Sequence, residues 1–285
     1  MICLWFTGFA TYHKYVGGFA QFERVPHITA GLDLEDGLGH NYIDSNSSTI
    51  QIWRLIRTKH VLMRKFDSSP ADIFEYGSQT LGLPLDAGTV KQLLLFSEIL
   101  LAWNQKMHLV SKKDAVPTRI ARQMVDSLLL LHHFEIPTNS KVLDLGSGAG
   151  FPAVPLKIIR PDLEIVLTES TLKKGDYLQN LLKELNLVKV SVFPDRARNL
   201  PKKRRGYFDY VTAKASGILK EVWPEIYPFL KRGGRLLTYK GKKAQEEIGQ
   251  AERTFKELPG RVERIIPIDI KELDLGGCLI SIRKL

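Results

Sequence analysis

Lys141-Val-Leu-Asp-Leu-Gly-Ser-Gly-Ala-Gly-Phe-Pro152 sets a short apolar run directly against three closely spaced glycines. Val142, Leu143 and Leu145 fit a strand buried on both faces, because a nearly continuous apolar run leaves no solvent side. Gly146, Gly148 and Gly150 let the backbone turn sharply and approach a ligand more closely than any Cβ permits. A helix follows from Ala153 to Arg160 and is closed by Pro161. Strand, glycine turn and helix in that order form a nucleotide-type pocket; the plainer alternative is an ordinary strand-to-helix turn.

Glycine spacing separates the candidate ligands. A dinucleotide-binding turn has glycines at its first, third and sixth positions. Counted from Gly146 the sixth position is Phe151, and the third glycine arrives one residue early at Gly150, so a pyrophosphate is not favoured. Asp144 before the turn, with Glu169 closing the next apolar run (Glu164 to Glu169), makes the pattern similar to the S-adenosyl-L-methionine (AdoMet) loop of Rossmann-like methyltransferases. In those enzymes the second-strand carboxylate accepts both ribose hydroxyls.

The chain of 285 residues has room for one large or two modest domains. No run approaches the roughly 18 apolar residues of a membrane-spanning helix. Cys3 and Cys278 are too few for a disulfide scaffold or a zinc site, which points to a reducing cytoplasm. His132 and His133 are the only adjacent histidines and have no carboxylate motif beside them, so no metal is expected. The net charge of +10 and pI near 9.5 suit a polyanionic partner, nucleic acid or a membrane surface; the alternative is a well-solvated basic exterior. Residues 1–62 balance Lys14, Arg24, Arg54, Arg57 and Lys59 against Glu23, Asp33, Glu35, Asp36 and Asp44, so the excess lies in 63–285.

Residues 1–62 sustain neither the helical nor the strand period and are expected to be a non-native or disordered extension, with translation starting at Met63. A small lineage-specific addition is the competing reading. Ile2 to Ala10 lacks the basic flank of a secretory signal. Helices are expected over Ala71 to Leu81, Ala87 to Met107 and Val116 to Phe134, a small helical N-terminal subdomain within 63–138. The second carries Val90, Leu93, Leu94, Ser97, Leu100, Leu101 and Asn104 on one face, and the third Ile120, Met124, Leu128 and Leu131. From 139 to 285 strands and helices alternate, which means a parallel sheet covered on both faces. Val262 to Ile270 and Cys278 to Arg283 have no helix between them and are expected to join through Gly276-Gly277, making the last strand antiparallel. The expected fold is α/β, a Rossmann-like class I methyltransferase with seven strands.

Trp103-Asn-Gln-Lys-Met-His-Leu109, Arg122-Gln-Met-Val-Asp-Ser127, Gly146 to Pro152, Ile159-Arg-Pro161, Glu169-Ser170 with Lys173-Lys174, Phe208-Asp209 and Tyr239-Lys-Gly241 together resemble the RsmG (GidB) family. Its members are bacterial methyltransferases acting on guanine N7 in 16S ribosomal RNA, and the resemblance covers roughly residues 72 to 285. It implies AdoMet as cofactor, contacted by Gly146, Phe151, Ala197, Arg198 and Lys214; Gly148 and Glu169 join them from the loop pattern. It implies ribosomal RNA or the small subunit as partner, and a cytoplasmic monomer. The chain departs from the family pattern at Gln123 (for His), Glu169 (for Asp), Arg198 (for Glu) and Lys214 (for Arg). Glu169 keeps an acceptor, whereas Lys214 gives up a bidentate fork. These departures keep open a non-catalytic AdoMet- or RNA-binding relative, or a different substrate.

Guanine N7 has an in-plane lone pair and no proton, so its methylation needs alignment and electrostatics rather than a general base. No catalytic acid or base is therefore named. Arg122, Asp126 and Lys214 are candidates to border the target base; the alternative is a salt-bridged link between helices and sheet. Lys202-Lys203-Arg204-Arg205, between the third and fourth strands, is expected beside the ligand rim, holding phosphates, with a solvated loop as the alternative. Arg196, Arg198, Lys231, Arg232, Lys242 and Lys243 extend that patch if they share its face. Trp223, Tyr227 and Phe229 fit core packing better than base stacking.

Overall fold

The computed structural model describes residues 69–285 and, ahead of them, the backbone of Cys3–Leu4, Ala10–Val16, Phe19–Val25 and Ala30–Gly31. Met63, the expected start, lies outside the described residues. Contacts divide the chain into Met1–Arg64 and Lys65–Leu285. Within the first unit Ala10–Val16 pairs antiparallel with Phe19–Val25, which corrects the expectation that residues 1–62 sustain no regular element. Gly17-Gly18 in the sequence between two runs rich in aromatic and β-branched residues is a hairpin signal that period counting misses.

Three helices open the second unit: α1 (Pro70–Leu81), α2 (Ala87–Asn104) and α3 (Pro117–His133). Ser69 and Asp86 cap the first two, their side chains accepting from the N–H groups of Asp72 (3.2 Å) and Thr89 (2.7 Å). Helix α2 stops three residues short of Met107 because the Asn104 side chain turns back. Its Oδ1 accepts from the N–H of Leu109 at 2.8 Å and of Val110 at 2.9 Å, drawing the chain out of the helix.

Seven strands form one sheet: β1 (Lys141–Leu145), β2 (Glu164–Thr168), β3 (Val190–Phe193), β4 (Phe208–Lys214), β5 (Leu230–Lys240), β6 (Gly260–Ile270) and β7 (Leu275–Lys284). Their order is β6-β7-β5-β4-β1-β2-β3, with β7 antiparallel to both neighbours and the other pairings parallel. Alternate residues of the strands feed two cores. Val142, Ile165, Leu167 and Tyr210 face α1 to α3 and the helices α4 (Ala153–Ile159) and α5 (Leu172–Glu184). Leu143, Leu145, Val166 and Val211 face α6 (Leu219–Ile226) and α7 (Ala244–Glu257). Phe96, Met124 and Leu128 belong to the same core as Val142, so the N-terminal helices are a layer of this fold and share its core.

Two boundaries are set by local packing: the helix expected over Leu219 to Leu230 is shorter, and the glycine pair is not the turn. Helix α6 ends at Ile226, with Pro228 close behind, and Leu230 already opens β5. Trp223 is fully buried and donates its indole N–H to the Leu258 carbonyl at 2.9 Å, and Phe229 is buried beside it, so these aromatics are core. The β6–β7 turn is a 3-10 turn at Lys271–Leu273 followed by Asp274 at φ 54°, not the glycine pair. Gly276 and Gly277 sit inside β7. A Cβ on Gly277 would stand 2.5 Å from the Lys240 carbonyl oxygen, so glycine is what lets β7 lie against the end of β5.

Candidate active site

The glycine turn leaves the carboxyl end of β1 with Gly146 at φ 64°, Gly148 at φ 52° and Gly150 at φ 99°. Thr168, last in β2, ties it to the sheet: its hydroxyl accepts from Gly146 N–H at 3.3 Å and donates to the Asp144 carbonyl at 2.9 Å. Its own carbonyl accepts from Ser147 N–H at 2.9 Å. A Cβ on Gly150 would lie 3.0 Å from Val154 and 3.2 Å from Phe96, so the turn packs directly on α2 and α4. Tyr177 of α5, fully buried, donates to the Ala149 carbonyl at 3.1 Å, and Phe151 packs on Phe96 with ring centroids 5.4 Å apart.

Glu169 sits directly after Thr168, 7% exposed. One carboxylate oxygen accepts from Gly148 N–H at 3.0 Å and the other from Thr171 N–H at 2.8 Å. The carboxylate is thus held against the glycine turn with lone pairs to spare for a diol. A Cβ on Gly148 would meet nothing nearer than the Gly146 carbonyl at 3.8 Å, so the turn stays open above that residue. Asp144 is fully buried; one oxygen accepts from the Thr212 hydroxyl at 2.6 Å and the other has no partner. Burial pushes its pKa up to about 7, with hydrogen bonds from Ser147 and Thr212 opposing. An open turn, a diol acceptor beside it and an unsatisfied buried carboxylate oxygen fit a nucleoside ligand.

Lys214, last in β4, is ion-paired to Asp126 of α3 at 2.6 Å, both side chains largely buried. Its Nζ lies 5.6 Å from the Phe151 ring centroid and 5.1 Å from that of Tyr239. The Tyr239 hydroxyl is 3.1 Å from the Asp126 carbonyl and 2.8 Å from that of Ser127, so β4 and β5 are both fastened to α3. The alternative of a salt-bridged link is therefore present for Lys214 and Asp126, and the link borders the glycine turn. Arg122 lies one helical turn before Asp126 on the same side of α3.

Gly146, Gly148, Phe151, Glu169 and Lys214 therefore gather around one turn. The end of β3 joins them, because Glu169 N–H donates to the Phe193 carbonyl at 3.2 Å. Beyond it Ala197 is buried in the α6 core, and Arg198 is exposed, 3.7 Å from Glu225. Lys202–Arg205 do not lie beside this rim. They sit at the amino end of the sheet, where Arg204 pairs with Glu164, the first residue of β2, at 3.2 Å. Gly206 and Tyr207 alone separate the cluster from β4, so the chain has already crossed back to the strand starts. The wider basic set divides: Arg196, Arg198, Lys242 and Lys243 follow the strand ends, whereas Lys231 and Arg232 begin β5 with the cluster. Thr168, Thr212 and Tyr177 join the site without a motif of their own; a lone threonine near the end of an apolar strand is the sequence signal that points to the first two.

A family model described as rRNA small subunit methyltransferase G matches residues 89–272. The chain belongs to that family. Relatives named ribosomal RNA small subunit methyltransferase G include one from Lachnoclostridium phytofermentans, 32% identical over 74% of this chain and 88% of the relative. Another, from Alkaliphilus oremlandii, is 32% identical over 75% and 90%, and one from Desulfitobacterium hafniense is 34% identical over 70% and 80%. The matched family residues span the glycine turn, Glu169, Lys214 and Tyr239.

Proposed function

We propose that residues 63–285 form an AdoMet-dependent methyltransferase acting on guanine N7 in 16S ribosomal RNA, in the free RNA or the small subunit, as a cytoplasmic monomer. The observation that carries this reading is the Glu169 carboxylate fixed at Gly148, in a chain of the small-subunit rRNA methyltransferase family. AdoMet supplies a methyl group activated on a sulfonium. Glu169 accepts the sugar hydroxyls, Gly146 and Gly148 admit the nucleoside close to the backbone, Phe151 and the Ala197-Arg198 backbone border it, and Asp144 offers its free oxygen.

Arg122, Asp126 and Lys214 border the target base. With no proton to remove from N7, their work is to orient the base and to shape the field as positive charge passes to the purine. Orientation alone can supply on the order of 7 kcal/mol of barrier lowering. The Lys214–Asp126 pair fits this role because it holds the lysine beside the turn instead of leaving it to solvent.

Transfer of tritiated methyl from AdoMet to naked 16S rRNA, small subunits and whole ribosomes tests the assignment. Incorporation into RNA from one of the first two supports it. Cofactor binding without incorporation into any of the three contradicts it and favours the non-catalytic reading.

A further inference from the structure

The displaced Lys202–Arg205 cluster marks a second cationic edge. Tyr207 fixes its place, its hydroxyl donating to Glu164 at 2.7 Å while the Lys141 ammonium and Arg204 guanidinium lie 4.0 Å and 4.3 Å from its ring centroid. Lys141 and Glu164 are the first residues of β1 and β2; the glycine turn and Glu169 lie at the other ends of those strands. Five residues at about 3.3 Å each put roughly 16 Å between the two edges.

Three acids on this edge are already engaged: Asp162 with Arg160 at 2.7 Å, Glu164 with Arg204 at 3.2 Å and Asp209 with Lys231 at 2.6 Å. Lys189, Lys202, Lys203, Arg205 and Arg232 are exposed there, and none has an acidic partner within ion-pair distance among the described residues. Two concavities of about 430 and 360 Å³ run along the edge and share Asn139, the first bounded by Glu164 and Lys189, the second by Lys231 and Arg232.

We propose that this edge grips phosphates of the RNA substrate at a distance from the target guanine, a second contact surface separate from the methyl-transfer site. The inference rests on the ribosomal RNA reading above. Unpaired ammonium and guanidinium groups suit phosphate. With Lys141 and Arg204 already against the Tyr207 ring, the edge reads backbone charge and shape and not bases. An RNA that engages both edges has to span the sheet, so the second surface serves a substrate several nucleotides long and is out of reach of a di- or trinucleotide seated at the glycine turn.

The test is the full chain carrying Lys202→Ser, Lys203→Ser and Arg205→Ser, with Arg204 kept because it holds Glu164. Binding to 16S rRNA and to a trinucleotide centred on the methylated guanine, too short to cross the sheet, is measured across a salt series. Three lost phosphate contacts should shrink the log–log salt slope for rRNA by about 2 and weaken binding about tenfold at moderate salt. AdoMet affinity and oligonucleotide binding should not move. An unchanged slope and affinity for rRNA overturn the proposal, and so does an equal loss for oligonucleotide and rRNA, which would place the cluster at the target base. Failure of the parent reading is seen separately, as absence of methyl transfer by the unsubstituted chain, because this test reads binding without turnover.

Discussion

Glu169 joins the glycine turn to the second strand through two backbone N–H groups, and the same carboxylate is the proposed acceptor for the cofactor sugar. Glu169→Ala removes both functions. Calorimetry should show AdoMet affinity weakened at least about tenfold, with stability lower by about 1–3 kcal/mol from the two stranded donors. Glu169→Asp, the residue expected from the family pattern, should keep affinity within a few fold; an unchanged dissociation constant in the alanine variant contradicts the assignment. Asp144 leads to a prediction in pH. Its folded pKa lies near 7 against an ordinary value of 3.8, because burial disfavours the charged form. Between these values the native state binds more protons than the unfolded chain, so stability falls as pH rises from about 4 to 7, by up to about 1.4 kcal/mol per pH unit, and levels off above. Asp144→Asn should flatten that part of the melting-temperature profile; an unaltered profile would show that the carboxyl does not titrate there. Glu169 was legible in the sequence because a carboxylate closing an apolar run is conspicuous. Its hold on Gly148, and the Thr212 hydroxyl that meets Asp144, depend on strand register, which neither residue reveals by itself.

At the scale of elements, alternation of apolar runs with amphipathic stretches was enough to read the parallel sheet and its antiparallel close. Local competition shifted the boundaries. Asn104 ends α2 by capturing N–H groups downstream, and Leu230 passes to β5 although its apolar spacing continues α6. Gly277 shows how a glycine can mislead: in sequence Gly276-Gly277 looks like a turn, but the constraint comes from a strand remote in the chain. Gly277 has φ 115° and no room for a Cβ beside Lys240. Gly277→Ala should therefore cost about 2 kcal/mol or more and lower the melting temperature by about 4–8 °C. Gly276→Ala, whose Cβ would meet only the Ile268 carbonyl at 3.9 Å, should stay within about 1 °C of the parent. Equal losses in both variants, read by calorimetry, would remove close approach to β5 as the cause. The position of Lys202–Arg205 was also latent in the sequence, since only two residues separate the cluster from the Phe208 strand. A charge run carries no mark of which end of a sheet it occupies; the direction of the crossover supplies it.

At the scale of the whole molecule, exposed positive charge among the described residues stands at both ends of the sheet. Arg196, Lys242 and Lys243 stand on the side of the glycine turn, and Lys189, Lys202, Lys203, Arg205 and Arg232 on the other. A net charge of +10 read from composition shows neither the division nor its spacing. It does support an RNA partner, whose phosphates can meet both ends. Family membership and the turn geometry converge on the chemistry, and the turn together with Glu169 is the part of the candidate site that the sequence pattern alone brings together. The most direct measurement incubates 16S rRNA or small subunits with the chain and AdoMet, then cleaves the RNA chemically at N7-methylguanosine and maps the break by primer extension. The account predicts a single new cleavage at one guanine, dependent on AdoMet and strongly reduced in Glu169→Ala at limiting AdoMet. RNA that takes up no methyl group, or takes it up at an atom other than guanine N7, would contradict it.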